Sequence, residues 1–240
     1  MDQATLLSLL AVLVLAALHV LPHGYERTAV RPRWLSAASG ISVAYVFVHL
    51  LPELAEAQVK FKEARGSHAF SWFDDQIYVA ALLGVVLALT ADRVAATVRK
   101  PTAARFWVHL GSFALYNMVI GGFATRLRTP VSTGLAVIAF GAHFLVNDYG
   151  LQERSGRAYA RFGRWMLAAA ILLGWIIATA SQPSAVLVTT LLGALAGGII
   201  VNTLAEELPA RRATHFMAFV GGALGYAVLL LALRYTNASV

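Results

Sequence analysis

Long apolar runs recur along the chain between short polar stretches, and this pattern predicts a bundle of helices. We count eight runs, at about 5–21, 35–54, 77–91, 106–124, 131–146, 165–180, 185–205 and 216–233. Most of them approach the roughly 20 residues that an α-helix needs to cross the hydrocarbon core of a bilayer. The sequence therefore predicts an all-α integral membrane protein of eight transmembrane helices, with residues 1–240 in one transmembrane domain.

The composition supports lipid as the main solvent of this surface. Apolar residues make up 59% of the 240 positions and charged residues 13%, about half of the roughly 25% that is usual in soluble domains. The chain has no cysteine, which excludes disulfides, thiolate metal sites and cysteine nucleophiles. No Lys or Arg precedes Arg27, so we interpret the first run as a retained span and not as a signal peptide.

The basic residues predict the orientation. The net charge is +7, and 13 of the 19 Lys and Arg residues lie in the loops after the first, third, fifth and seventh runs. Basic loops stay in the cytoplasm, so both termini are expected outside it, with a bacterial cytoplasmic (inner) membrane as the expected location. Arginine clusters between apolar runs are typical of such loops, and no nucleic-acid partner is expected.

Two runs end in similar motifs. The second ends His49-Leu-Leu-Pro-Glu53 and the seventh ends Glu206-Glu-Leu-Pro209. On the predicted topology these helices run in opposite directions, which indicates an inverted repeat of the kind common in secondary transporters.

Polar side chains inside the apolar runs are candidates for function, because such groups are costly in lipid. The fourth run contains Tyr116 and Asn117, and the fifth contains His143, Asn147 and Asp148. His143 and Asn147 are four residues apart and share one helical face, so they could bind a cation. From these residues alone, a hydrogen bond to a neighbouring helix is a more common role of such a pair than metal binding, and Asp148 could be a solvated helix end.

Further polar pairs lie at the ends of two runs. His49 and Glu53 form one such pair, and Asn202 and Glu206 form the other. Each pair is either a metal way-station on a pathway or an interfacial cap. We assign no function to three histidines near span ends, His19, His109 and His215. No phosphate-binding loop, HExxH or GxSxG motif is present, so the chain is not expected to be an enzyme.

The second and fourth runs resemble those of the ZIP divalent-metal transporters. The ending His49-Leu-Leu-Pro-Glu53 is familiar there. The family's fourth-span motif, His-Asn-x-x-Asp/Glu-Gly, aligns with residues 116–121, where Asn117 and Gly121 match.

The fifth run resembles the corresponding ZIP motif, His-Glu-x-Pro-His-Glu-x-Gly-Asp. It aligns with residues 143–151, in which His143 and Gly150 match. Asp148 conservatively replaces the second Glu, whereas the first Glu, the Pro and the final Asp are lost.

The resemblance implies a fold and an activity. ZIP proteins have eight spans, both termini outside, and a two-metal site between the fourth and fifth helices. The resemblance implies a permease that moves a divalent cation such as zinc toward the cytoplasm. One helix bundle would rock against another around a midplane site. The zinc would be the substrate and not a resident cofactor, and a homodimer stays open as an assembly. The resemblance implies a site made by His143, Asn147, Asn117, Asp148 and Tyr116.

The departures from the motifs lead to an alternative. Ile120 and Phe144 stand where the family has acids, and a dication in a low-dielectric site needs compensating negative charge. The alternative is a ZIP-fold protein that has lost the classical metal site and serves as a regulator, a partner subunit or a carrier of another solute.

Overall fold

The structure is a computed structural model that describes residues 2–21, 32–65, 76–97, 103–207 and 215–235. These residues form nine α-helices and two π-helical turns, Val46–Leu50 and Tyr159–Gly163. The helices are α1 Gln3–Val20, α2 Arg33–Tyr45, α3 Leu51–Arg65, α4 Gln76–Thr97, α5 Ala103–Ala124, α6 Pro130–Ala158, α7 Arg164–Ser181, α8 Ala185–Glu207 and α9 Phe216–Tyr235. The all-α prediction is confirmed for this part of the chain.

Seven helical segments are long and apolar enough to cross a membrane. Each of the eight predicted spans coincides with helix to within about a residue, but the fifth and sixth share one segment of 52 residues, Pro130–Ser181. The predicted linker between them is largely helical, because it is made of the end of α6 and the π-helical turn Tyr159–Gly163. The backbone leaves helical geometry at Ser155, with φ −139° and ψ 27°.

Two contacts with α1 show that this long segment is not straight. The Trp175 indole donates to the Ser8 hydroxyl at 3.0 Å, and His19 bonds to Asp148 at 2.8 Å. Their positions on α1 lie roughly 16 Å apart at 1.5 Å per residue, whereas a straight helix would separate residues 148 and 175 by roughly 40 Å. The segment therefore folds back where Ser155 interrupts it, and α6 and α7 both pack on α1.

Close backbone contacts join the helices in three pairs, α2 with α9, α4 with α8 and α5 with α7. Each pair has a glycine on both sides where an added Cβ would overlap the backbone of the partner helix. Small residues permit such close approach where lipid provides no hydrophobic drive. The glycines are Gly40 with Gly222, Gly84 with Gly197, and Gly121 with Gly174.

The outer surface of the bundle is apolar. Large side chains on α4 and α9 are more than 60% exposed, which is unusual for a chain dissolved in water. The residues are Leu82, Leu87, Met217, Leu224 and Val228. Together with the seven long apolar helices, they describe a membrane-embedded protein.

Cavities relate the helix ends to two faces of the bundle. Thr5, Thr125 and Gln182 line one cavity, so α1 begins on the side where α5 and α7 end. We call this end the N-terminal face. Another cavity is lined by Asp92 near the end of α4 and His109 near the start of α5, and it marks the opposite face.

Candidate functional site: a buried polar centre

A histidine and an aspartate meet inside the bundle. The Nδ1 atom of His19, in the last turn of α1, lies 2.8 and 3.0 Å from the two carboxylate oxygens of Asp148 on α6. Both side chains are 1% exposed. An isolated carboxylate in an apolar interior is strongly disfavoured, so the imidazole is what allows Asp148 to remain there.

This pair changes two interpretations from the sequence. Asp148 is fully buried, so the alternative of a solvated helix end is wrong. His19 is not an ordinary interfacial histidine, because its ring is enclosed. The depth of the two residues in the bundle could have indicated this pair. His19 lies roughly 24 Å along α1, and Asp148 lies roughly 27 Å along α6. Helices that begin on the same face bring these residues to a similar depth.

A second polar pair lies one turn away on α6. The Nε2 atom of His143 is 2.9 Å from the side-chain nitrogen of Asn147, and both residues are buried. The Nδ1 atom of His143 is buried without a hydrogen-bond partner. The predicted i, i+4 pair is therefore formed, and it leaves one ring nitrogen of His143 unsatisfied.

Phe144 packs against both histidines. Its ring centroid lies 4.5 Å from that of His19 and 6.3 Å from that of His143, and the residue is 2% exposed. Ile120 on α5 is likewise buried, at 1% exposure. The two positions that differ from the ZIP acids thus carry enclosed apolar side chains, and Phe144 directly adjoins the imidazoles.

The other two predicted ligands lie on α5. Asn117 is buried and its side-chain oxygen has no hydrogen-bond partner. The Tyr116 hydroxyl hydrogen-bonds instead to the side chain of Asn202 on α8. Although α5 and α6 contact each other, α5 packs chiefly on α7, and α6 packs chiefly on α2 and α1. The polar centre is therefore shared with α1, which the sequence had not indicated.

A small polar cavity opens near this centre on the opposite face. Its volume of about 10 Å³ is close to that of one water site. Asp92 and His109 face each other across it at 3.9 Å, so His109 also belongs to a polar site, contrary to our interpretation. The polar residues that line this cavity come from four helices and are Asp92, His109, Asn147, Arg154 and Asn202.

The N-terminal face carries the other predicted pair. The Nε2 atom of His49 lies 3.7 Å from a carboxylate oxygen of Glu53. Both line a cavity of about 400 Å³, whose rim is crossed by an ion pair of 3.0 Å between Arg234 and Glu56. Asn202 lines the cavity on the opposite face, whereas the side chain of Glu206 lies outside the described side chains.

The described residues contain no group of three or more His, Asp or Glu side chains placed to hold a metal ion. What they do contain is two buried imidazoles, one buried carboxylate and several amides. Imidazole suits zinc-like cations, and one carboxylate supplies a single negative charge.

The family resemblance rests on the motif residues alone. No protein-family model matches the sequence, and a search of curated proteins found no significant match.

Proposed function

We propose that the chain is a ZIP-like permease that moves a divalent cation of the zinc class across a membrane. The observation that carries the proposal is the buried polar centre, His19 with Asp148 and His143 with Asn147, inside an apolar bundle. Ionisable groups within membrane spans are expensive and are by default candidates for an ion pathway. The chain would have no enzymatic role.

The topology of the proposal is eight crossings with both termini outside the cytoplasm. The reversal near Ser155 supports two crossings in the segment Pro130–Ser181. The helix pairs support an inverted repeat that relates the first three crossings to the last three. Such a repeat exchanges the α2–α9 pair with the α8–α4 pair, and both are tightly packed through glycines. The membrane would be a bacterial cytoplasmic membrane.

A path through the molecule can be traced from face to face. His49 and Glu53 would receive the cation at the N-terminal face, and His143 would bind it in the centre. Asn147 and Asn202 would pass it to the cavity on the opposite face, since both line that cavity. Buried apolar side chains, Ile120 among them, would have to move for a cation to pass.

Alternating access would come from sliding between tightly joined helix pairs. Where glycines bring two backbones into contact, the two helices have no room to shift against each other. Each of the three pairs would therefore move as a unit: α2–α9, α4–α8 and α5–α7. The surfaces between these pairs have fewer close contacts, and they are where rocking would occur. The helix packing alone thus indicates which helices would move together during transport.

The alternative function is a ZIP-fold protein without classical metal transport, acting as a regulator, a partner subunit or a carrier of another solute. One observation favours it: Phe144 and Ile120 place apolar groups where two acids would neutralise a dication. Both functions are compatible with a homodimer.

Zinc uptake into proteoliposomes separates the two functions. We expect uptake by the wild-type protein and its loss in His143→Ala, with no loss of folded protein on size-exclusion chromatography. His215→Ala is the matched control, because His215 immediately precedes α9, where its backbone N–H donates to the Ser36 hydroxyl on α2. A wild-type protein that gives no uptake above empty liposomes would contradict the permease and leave the alternative.

A further inference from the structure

The hydrogen bond between His19 and Asp148 fixes which ring nitrogen of His19 is free. A carboxylate can only accept hydrogen bonds, and both oxygens of Asp148 face Nδ1. In the neutral ring Nδ1 therefore carries the hydrogen, and Nε2 keeps its lone pair. That Nε2 atom is buried and has no hydrogen-bond partner.

We propose that Nε2 of His19 is a ligand for the transported cation and that Asp148 is the residue that positions it. Histidines that ligate metals usually donate their other ring N–H to a carboxylate or carbonyl, which fixes the tautomer and raises the basicity of the ligating nitrogen. His19 and Asp148 have this arrangement in full. The inference rests on the proposed function and adds a first-helix ligand to it.

His143 can supply the second nitrogen. The oxygen and nitrogen of an Asn amide are interchangeable in assignment, so Asn147 can present its oxygen to the Nε2–H of His143. Nδ1 of His143, which is buried without a partner, then has a free lone pair. Phe144 touches both histidine rings, so the two imidazoles adjoin the same small region of the core.

The role of Asp148 differs from the one that the family motif implies. The motif would make this carboxylate a direct metal ligand, but here both of its oxygens are engaged by His19. It still supplies a negative charge next to the cation. Two imidazoles backed by one carboxylate suit a borderline cation such as Zn²⁺ or Co²⁺, with water completing the coordination. A site this open binds weakly enough to release its ion, as conduction requires.

A purely structural role would leave part of this geometry unused. Hydrogen bonding between α1 and α6 would be satisfied by any polar pair with no atoms to spare. Here a ring nitrogen remains buried without a partner on each histidine, and such atoms lower stability unless they have a use. A cation bound to Nε2 of His19 would give that atom the partner it lacks.

Cobalt and zinc binding to the full-length protein in lipid nanodiscs tests the proposal without any transport measurement. We expect Asp148→Asn to weaken Co²⁺ binding about 10- to 100-fold, the usual effect of losing a positioning carboxylate. His19→Gln should weaken it at least as much, and His215→Gln should leave it unchanged. In ¹⁵N-histidine spectra, Zn²⁺ should shift the Nε2 signal that is missing from His19→Gln, while its Nδ1 stays protonated.

The outcomes separate this proposal from the permease itself. If both variants are less stable without metal but bind Co²⁺ like wild type, the pair is structural only and the proposal is overturned. If zinc leaves the His19 signals unshifted, it is overturned as well, whatever the uptake assay gives. Binding through His19 without zinc uptake would support the metal site while contradicting the permease.

Discussion

Phe144 stands in the polar centre where the ZIP motif has an acid, so Phe144→Glu should increase the affinity for zinc. Its ring lies 4.5 Å from that of His19 and 6.3 Å from that of His143. A carboxylate in this place would lie beside both imidazoles. It would add a second negative charge to that of Asp148.

The expected gain follows from Coulomb's law and the cost of burial. A dication and a carboxylate about 4.5 Å apart attract by about 7 kcal/mol at an effective dielectric constant of about 20. Several kcal/mol are lost in taking the carboxylate out of water. The remaining difference, about 1–4 kcal/mol, corresponds to a gain in affinity of about fivefold to several hundredfold. Without metal the variant should be less stable than wild type by at least about 3 kcal/mol, because a well-packed Phe is lost.

Isothermal titration of the purified protein with zinc measures this gain, and Phe144→Gln is the matched control. Glutamine has the shape of glutamate without its charge, so it reproduces the lost packing alone. Both variants should first elute as single species on size-exclusion chromatography. Equal zinc affinities for the Glu and Gln variants would refute the reasoning, since the added charge would then not be felt at the metal.

Three further predictions concern the fold and its orientation. Gly84→Ala should destabilise the protein by about 1–3 kcal/mol in thermal unfolding, because a Cβ there would overlap the backbone of α8; Gly111→Ala, which meets open space, should be neutral or stabilising. Cysteines introduced at Asp2 and Ser239 should react with an impermeant reagent in intact cells, and reaction only after lysis would reverse the topology. Tyr226→Phe should cost about 0.5–1.5 kcal/mol, because the Tyr226 hydroxyl donates a 2.7 Å hydrogen bond to a carbonyl of α6; an unchanged unfolding midpoint would contradict that value.

Much of the fold could be predicted because apolar length is a local property of the sequence. Every predicted span lies on helix, and the polar pairs His143–Asn147 and His49–Glu53 are formed as their i, i+4 spacing indicated. The helical turns on both sides of Ser155, where a loop was predicted, were not foreseen, since a polar stretch without proline can either form a loop or remain helical.

The contribution of α1 to the site depended on contacts between distant parts of the chain. His19 and Asp148 are 129 residues apart, and no spacing rule connects them. The requirement that a carboxylate in a membrane span must have a partner would have prompted a search for one at the same depth. Phe144 shows the same limit: the sequence indicates that an acid is lost, but only the structure shows that an aromatic ring packs against two histidines there.

Anomalous diffraction from crystals soaked in cadmium tests the central claim most directly, because it locates the ion without relying on flux. We predict a peak in the polar centre within coordination distance of His19 and His143, and its loss in His143→Ala crystals soaked in the same way. An absent peak, or peaks confined to His49 and Glu53 at the surface, would contradict a cation site in the core of this bundle and favour the alternative function.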